Sequence, residues 1–103
     1  MASVTSKPVD IGTLITSSPD IWHGRTIIQG TRVPVMLIVD LYQGGMTPEQ
    51  IASDKYLSLA QVYAALTYYH ANPKVIERER AEEDTENALL EQEWRQKQAE
   101  SKT

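Results

Sequence analysis

No cysteine occurs among the 103 residues. That excludes a disulfide framework, a thiol nucleophile and any thiolate metal site. Histidine is scarce: His23 and His70 are the two present, and neither lies in a metal-binding spacing such as H-x-x-x-H. No apolar run approaches the roughly 18 residues needed to cross a bilayer. The opening M-A-S-V-T-S-K-P also lacks the apolar core of a signal peptide. A soluble, cytoplasmic protein away from membranes is expected. Nucleophile–base sets are missing as well. Thr47 and Ser58 precede helical patterns and read as caps, and Gly24 and Gly30 have neither the spacing nor the following helix of a phosphate-cradling loop. The expectation is a protein that is not an enzyme and carries no cofactor or metal.

Cations are also few, and their distribution is uneven. The net charge is −4. Up to Asn72 the basic residues are Lys7, Arg25, Arg32 and Lys55, set against five acids for a net of −1; the remainder of the chain carries −3. This balance argues against a broad non-specific grip on nucleic acid, which requires many phosphate-neutralising cations. Apolar residues make up 41% and concentrate before Pro73. Three segments follow: a frayed end over 1–13, a domain over 14–72, and an acidic, helical tail over 73–103. A core of this size gains from oligomerisation, so a homodimer is expected.

The pattern is organised around G-T-R-V-P-V-M-L-I-V-D-L-Y, Gly30 to Tyr42. Pro34 keeps Val33 extended and suits the first position of a helix. The apolar run behind it predicts a largely buried helix over 34–43, stopped by Gly44-Gly45. Ahead of it lie two strand candidates, Leu14 to Thr16 and Arg25 to Gln29, joined by turn chemistry at Ser17 to Asp20 and at His23-Gly24. Thr47-Pro48-Glu49-Gln50 predicts a capping box and a second helix to Asp54; Ser58-Leu59-Ala60-Gln61 predicts another, opening a third helix to His70. The third helix is expected to bury Leu59, Val62, Tyr63, Leu66 and Tyr69, leaving Ala60, Gln61, Ala64, Thr67 and Tyr68 on the other side. Asn72-Pro73 marks a break, and the tail beyond holds helix formers with the four-apart pairs Glu91/Arg95 and Glu93/Lys97.

The feature with functional content is the helix pair after a supporting helix. It matches the helix-turn-helix outline, although a plain three-helix core would look the same. In that outline Gln61 would reach adenine and Thr67 a thymine methyl, while Arg25, Arg32 and Lys55 would meet phosphates. Arg32 has a second role open to it, a structural pair with Asp40. In the tail, Leu89, Leu90 and Trp94 are apolar anchors behind an acidic run and fit a partner protein; a solvated, frayed end is the alternative.

Leu14 to Tyr69 resembles the bacterial domain-of-unknown-function family 433, through I-T-S-S-P-D-I-W-H-G-R, I-Q-G-T-R-V-P-V, G-M-T-P-E-Q-I and V-Y-A-A-L-T-Y-Y. The chain departs from the family at Asp54 to Leu59, where the usual Tyr-Pro-x-Leu pattern lacks its proline. The resemblance implies a mainly α fold with a short N-terminal β arm and a three-helix, homeodomain-like (helix-turn-helix) core, to which this chain adds a long C-terminal helical tail. It also implies a dimer of antitoxin type, encoded beside a PIN-like nuclease toxin; the helix pair is then expected to contact operator DNA and the tail to hold the toxin. The alternative is a protein-interaction adaptor that never touches nucleic acid.

Overall fold

The computed structural model describes residues 8–101 and centres on the helix Val35–Gln43 (α1). Pro34 is the extended residue just before that helix rather than its first member, with ψ 147°. The helix ends in a tight left-handed stop at Gly45, φ +112°. There the Gly45 N–H donates to the Tyr42 carbonyl (3.1 Å) and the Met46 N–H to the Leu41 carbonyl (3.1 Å). This double closure needs a residue at positive φ, which glycine adopts without steric cost.

Two further helices follow with both expected capping boxes. In Pro48–Lys55 (α2) the Gln50 N–H donates to Thr47 Oγ1 at 3.1 Å, and the Thr47 N–H donates to Gln50 Oε1 at 2.9 Å. Ser58 and Gln61 repeat the exchange at the head of Leu59–Ala71 (α3), at 3.1 and 2.8 Å. Three residues connect the two helices. The first of them, Tyr56, closes α2 in the left-handed region at φ 57°.

The β arm is smaller than its sequence pattern. Ile15–Ser17 (β1) pairs antiparallel with Thr26–Ile28 (β2), register Ile15 to Ile28, Thr16 to Ile27 and Ser17 to Thr26. Ile27 and Ile28 are buried within the one chain, so neither strand position is left for a second copy to cover. Val9 and Ile11 are exposed instead. Between the strands, Trp22, His23 and Gly24 all take positive φ, at 50°, 55° and 81°. Two non-glycine residues there cost on the order of 1–3 kcal/mol each. Neighbouring bonds hold them: Trp22 Nε1 donates to the Arg32 carbonyl (2.6 Å), and the Arg25 N–H to the Trp22 carbonyl (3.0 Å).

The core is built from Ile28, Val35, Met36, Ile38, Val39, Ile51, Ala52, Val62, Ala65, Leu66 and, from beyond Pro73, Ile76. Two corrections follow. On α3, Ala64 is buried, Tyr68 packs against the core and Gln61 is half-buried, whereas Leu59 and Tyr63 are exposed; the arm closes over the small residues. The residues after 72 are also not a separate tail in their first half. Pro73–Ser101 (α4) begins inside the fold, with Ile76 2% exposed. Asn72 joins the two helices, its N–H donating to the Tyr68 carbonyl (2.8 Å) while its own carbonyl accepts from Val75 (3.1 Å). Beyond Asn87 every described side chain of α4 is exposed. The radius of gyration is 17.8 Å, against about 13 Å for a compact chain of this length. The structure is mainly helical, with four α-helices and a two-stranded sheet among the described residues.

Candidate functional site

The most connected polar group is Arg25, which the sequence pattern offered to phosphate. It is buried, 4% exposed, and its donors are taken by α4. Nε donates to the Glu79 carbonyl (3.2 Å), Nη2 to Glu86 Oε1 (2.8 Å), and Nη1 lies 3.1 Å from Glu83 Oε2. Glu79 is itself buried, accepting from the Thr26 N–H at Oε1 (3.1 Å) and from Thr26 Oγ1 at Oε2 (2.9 Å). Glu86 closes the cluster on the other side, with Oε2 2.8 Å from His23 Nδ1. The hydrogen bond to Glu86 raises the Arg25 pKa further, against the opposing effect of burial. The same bond holds the Glu86 carboxyl below its ordinary range, again against desolvation, with His23 adding to the effect. Arg25 therefore clamps α4 onto the arm and has no free donor face for DNA.

This clamp was missed from sequence, although Glu79, Glu83 and Glu86 stand at i, i+4 and i+7 behind Ile76 and so share one helix face. Asp40 pairs with Arg80 of α4, not with Arg32. Arg32 is exposed at the turn between β2 and α1 and makes no ion pair among the described residues. Lys55 lies at the end of α2 beside Asp54 (3.4 Å). Gln61 spends its side-chain oxygen on the cap of α3. Thr67 is exposed on the rim of an apolar groove of about 340 Å³ formed with Ile11, Ile15, Ala64 and Tyr68. The DNA-contact candidates thus lie on different elements: Arg32 belongs to the arm, Lys55 to the last turn of α2, and Arg25 to the interior.

The partner-contact candidates share one stretch of α4, and Leu90 and Trp94, four apart, share a face. Leu89, Leu90 and Trp94 are 54%, 62% and 61% exposed on the part of α4 that has left the core. Beside them, the ion pair Glu91–Arg95 forms at 2.6 Å. A cleft of about 240 Å³ opens where α4 departs, lined by Trp22, Pro34, Met36, Leu37, Asp40, Arg80, Glu83, Asp84 and Asn87. Among the described residues no set of three His, Asp or Glu side chains is placed to hold a metal, and no helix is long and apolar enough to cross a membrane. Every buried side-chain nitrogen and oxygen among them has a hydrogen-bond partner.

The family model described as "Protein of unknown function (DUF433)" matches residues 15–69, from β1 to near the end of α3. A solved crystal structure of a DUF433 member protein from Anabaena variabilis ATCC 29413 is similar, with 31% identity and a TM-score of 0.62. The similarity covers 67% of this chain and 69% of that one. No curated protein matches. The family region contains Arg25 but ends before Glu79, Glu83 and Glu86, so the clamp joins family residues to the helix outside the match. With more than half of its residues inside the family model, the chain belongs to the DUF433 family.

Proposed function

We propose that this protein is a non-enzymatic binding module of antitoxin type, whose projecting helix captures a partner protein. The observation that carries this reading is the exposure of Leu89, Leu90 and Trp94 on a helix that runs past its own core. A tryptophan and two leucines on one short stretch form the kind of anchor set on which interface energy concentrates. A helix of this polarity would have little reason to extend alone in water. The partner implied by the family resemblance is a PIN-like nuclease.

DNA contact is the second reading, supported by the tight, doubly capped α2–α3 pair, which a homeodomain-like core would need. The chemistry narrows it. With Arg25 withdrawn, Arg32 and Lys55 remain on the arm and the helix pair, so a dimer presents about four cations and a salt slope near −3.6. The exposed face of α3, with Ala60, Tyr63 and Thr67, carries no arginine or lysine. That face suits the adaptor alternative, which needs no nucleic acid. The dimer itself would form through the arm, with Val9 and Ile11 of one copy covering the groove beside Thr67 of another.

Co-expression with a PIN-like nuclease, taken from the neighbouring reading frame where one is encoded there, tests the first reading. The full chain should retain that nuclease on an affinity resin. Changing Leu89, Leu90 and Trp94 together to Ala should abolish retention while leaving the melting temperature within a few degrees, because all three are exposed. Undiminished retention by the triple variant sinks the proposal. Light scattering at micromolar concentration should report twice the chain mass, and a clean monomer refutes the dimer.

A further inference from the structure

The cleft at the point where α4 leaves the core has a composition of its own. Pro34, Met36 and Leu37 form an apolar floor, Trp22 supplies one wall, and α4 supplies the other. Three carboxylates line it, and two are already answered: Asp40 by Arg80, and Glu83 by Arg25. Asp84 has no partner among the described residues. Trp22 is half-exposed and fixed from behind, since its Nε1 donates to the Arg32 carbonyl. The backbone is left-handed at Trp22 and His23, and the Trp22 ring stands at the cleft.

We infer that this cleft receives a basic side chain, an arginine before a lysine, from the protein captured by α4. An anion would face the unpaired Asp84 carboxylate, and an apolar group would leave that charge unanswered at the rim of the cleft. A guanidinium on a methylene stem suits all three surfaces. Its stem covers Met36 and Leu37, its plane stacks on the indole, and its fork meets the Asp84 carboxylate. Size agrees: about 240 Å³ lies below the roughly 300–1,000 Å³ of a typical small-molecule site, and suits one side chain.

Register places the cleft within the same docking event. Arg80, Asp84, Asn87, Glu91 and Trp94 follow one another at spacings of four, three, four and three, along one side of α4. From Asn87 at the cleft to Trp94 is about 10 Å. A partner lying along α4 would therefore set an apolar pocket over Leu90 and Trp94 and an arginine about two helical turns away. The inference rests on the partner-capture reading and adds the partner's chemistry to it.

Titrating the full-length protein with N-acetyl-arginine amide, read by the two tryptophan indole N–H signals in ¹H–¹⁵N spectra, tests the assignment. Trp94→Phe identifies which signal is which. Saturating movement of the Trp22 signal is expected, with Kd of about 1 mM for so small a probe. The citrulline analogue, isosteric but uncharged, should bind at least tenfold more weakly. Asp84→Asn should remove that tenfold preference, and Asp84→Glu should keep it; Asp84 is exposed, so both variants fold. Equal binding of citrulline, an unchanged preference in Asp84→Asn, or movement of the Trp94 signal alone overturns the inference. Putrescine binding as tightly as the arginine probe also overturns it, in favour of a free diamine. If the probe titrates as expected while the triple Leu89, Leu90 and Trp94 variant still retains the nuclease, the capture helix fails and the cleft stands.

Discussion

Glu79→Ala should strip α4 from the arm. Glu79 is 6% exposed, and both carboxylate oxygens accept hydrogen bonds from Thr26, one from the main chain and one from the hydroxyl. Hydrogen bonds to a charged acceptor contribute about 1.5–3 kcal/mol each, and a buried donor left unpaired carries its own penalty of about 1–3 kcal/mol. These effects overlap, so the expected loss is about 3–4 kcal/mol, similar to breaking a buried ion pair. A domain of this size has roughly 5–14 kcal/mol in total. The loss corresponds to a fall in melting temperature of at least about 12 °C. Urea unfolding followed by far-UV circular dichroism should show a lower midpoint at an unchanged m-value. Glu79→Gln should fall between wild type and alanine, because one oxygen acceptor survives. Glu91→Ala, in an exposed pair on the same helix, should cost under about 0.5 kcal/mol. A cost below about 1 kcal/mol for Glu79→Ala would mean that α4 is not integral to the fold, and the argument from the clamp would collapse.

Three smaller predictions accompany it. Because the folded-state pKa of Glu86 is depressed, its contribution is complete above the unfolded value near 4.3 and disappears as pH falls through the lower folded value. Denaturant titrations should therefore show stability declining more steeply below about pH 4.5 in wild type than in Glu86→Gln; parallel curves would count against this. Tyr56 is 96% exposed at φ 57°, so Tyr56→Gly should raise stability by up to about 1 kcal/mol and Tyr56→Val should lower it, both read by thermal melts. Arg32→Ala should leave the melting temperature within about 3 °C, since Asp40 belongs to Arg80; a large drop would restore the Arg32–Asp40 pair.

What the sequence made legible is what neighbours decide. Thr47 with Gln50, Ser58 with Gln61, and Gly45 at the stop of α1 are interactions across three to five residues, and their chemistry is readable locally. The faces of α3 were misjudged because large apolar residues were assigned inward. Ala64 is buried because the arm crosses there, and only the arm's path reveals that. The clamp joins residues 53 to 61 positions apart, so no local pattern contains it. Its trace was half of a pair, a carboxylate stripe behind Ile76 with no visible cation to meet. Arg25 looks available in the sequence because its burial depends on a helix whose composition reads as an acidic tail beyond the domain. The cleft is not legible for a related reason: Trp22 lines it from a turn whose backbone conformation tryptophan seldom adopts.

Asn72 ends one helix and begins the next, so a single residue sets the direction of α4. Treated as a lever pivoting there, α4 has Glu86 at about 21 Å and Trp94 at about 33 Å from the pivot. A swing of about 10° would carry Trp94 sideways by about 6 Å, more than half the 10 Å diameter of a helix. With Arg25 gripping Glu86, about 1 Å of play at the grip becomes only about 1.6 Å at Trp94. The aim of the distal helix is thus shared between the pivot at Asn72 and the grip of the arm. A substitution in β2 or its preceding turn can mis-point the distal anchors without touching any of them.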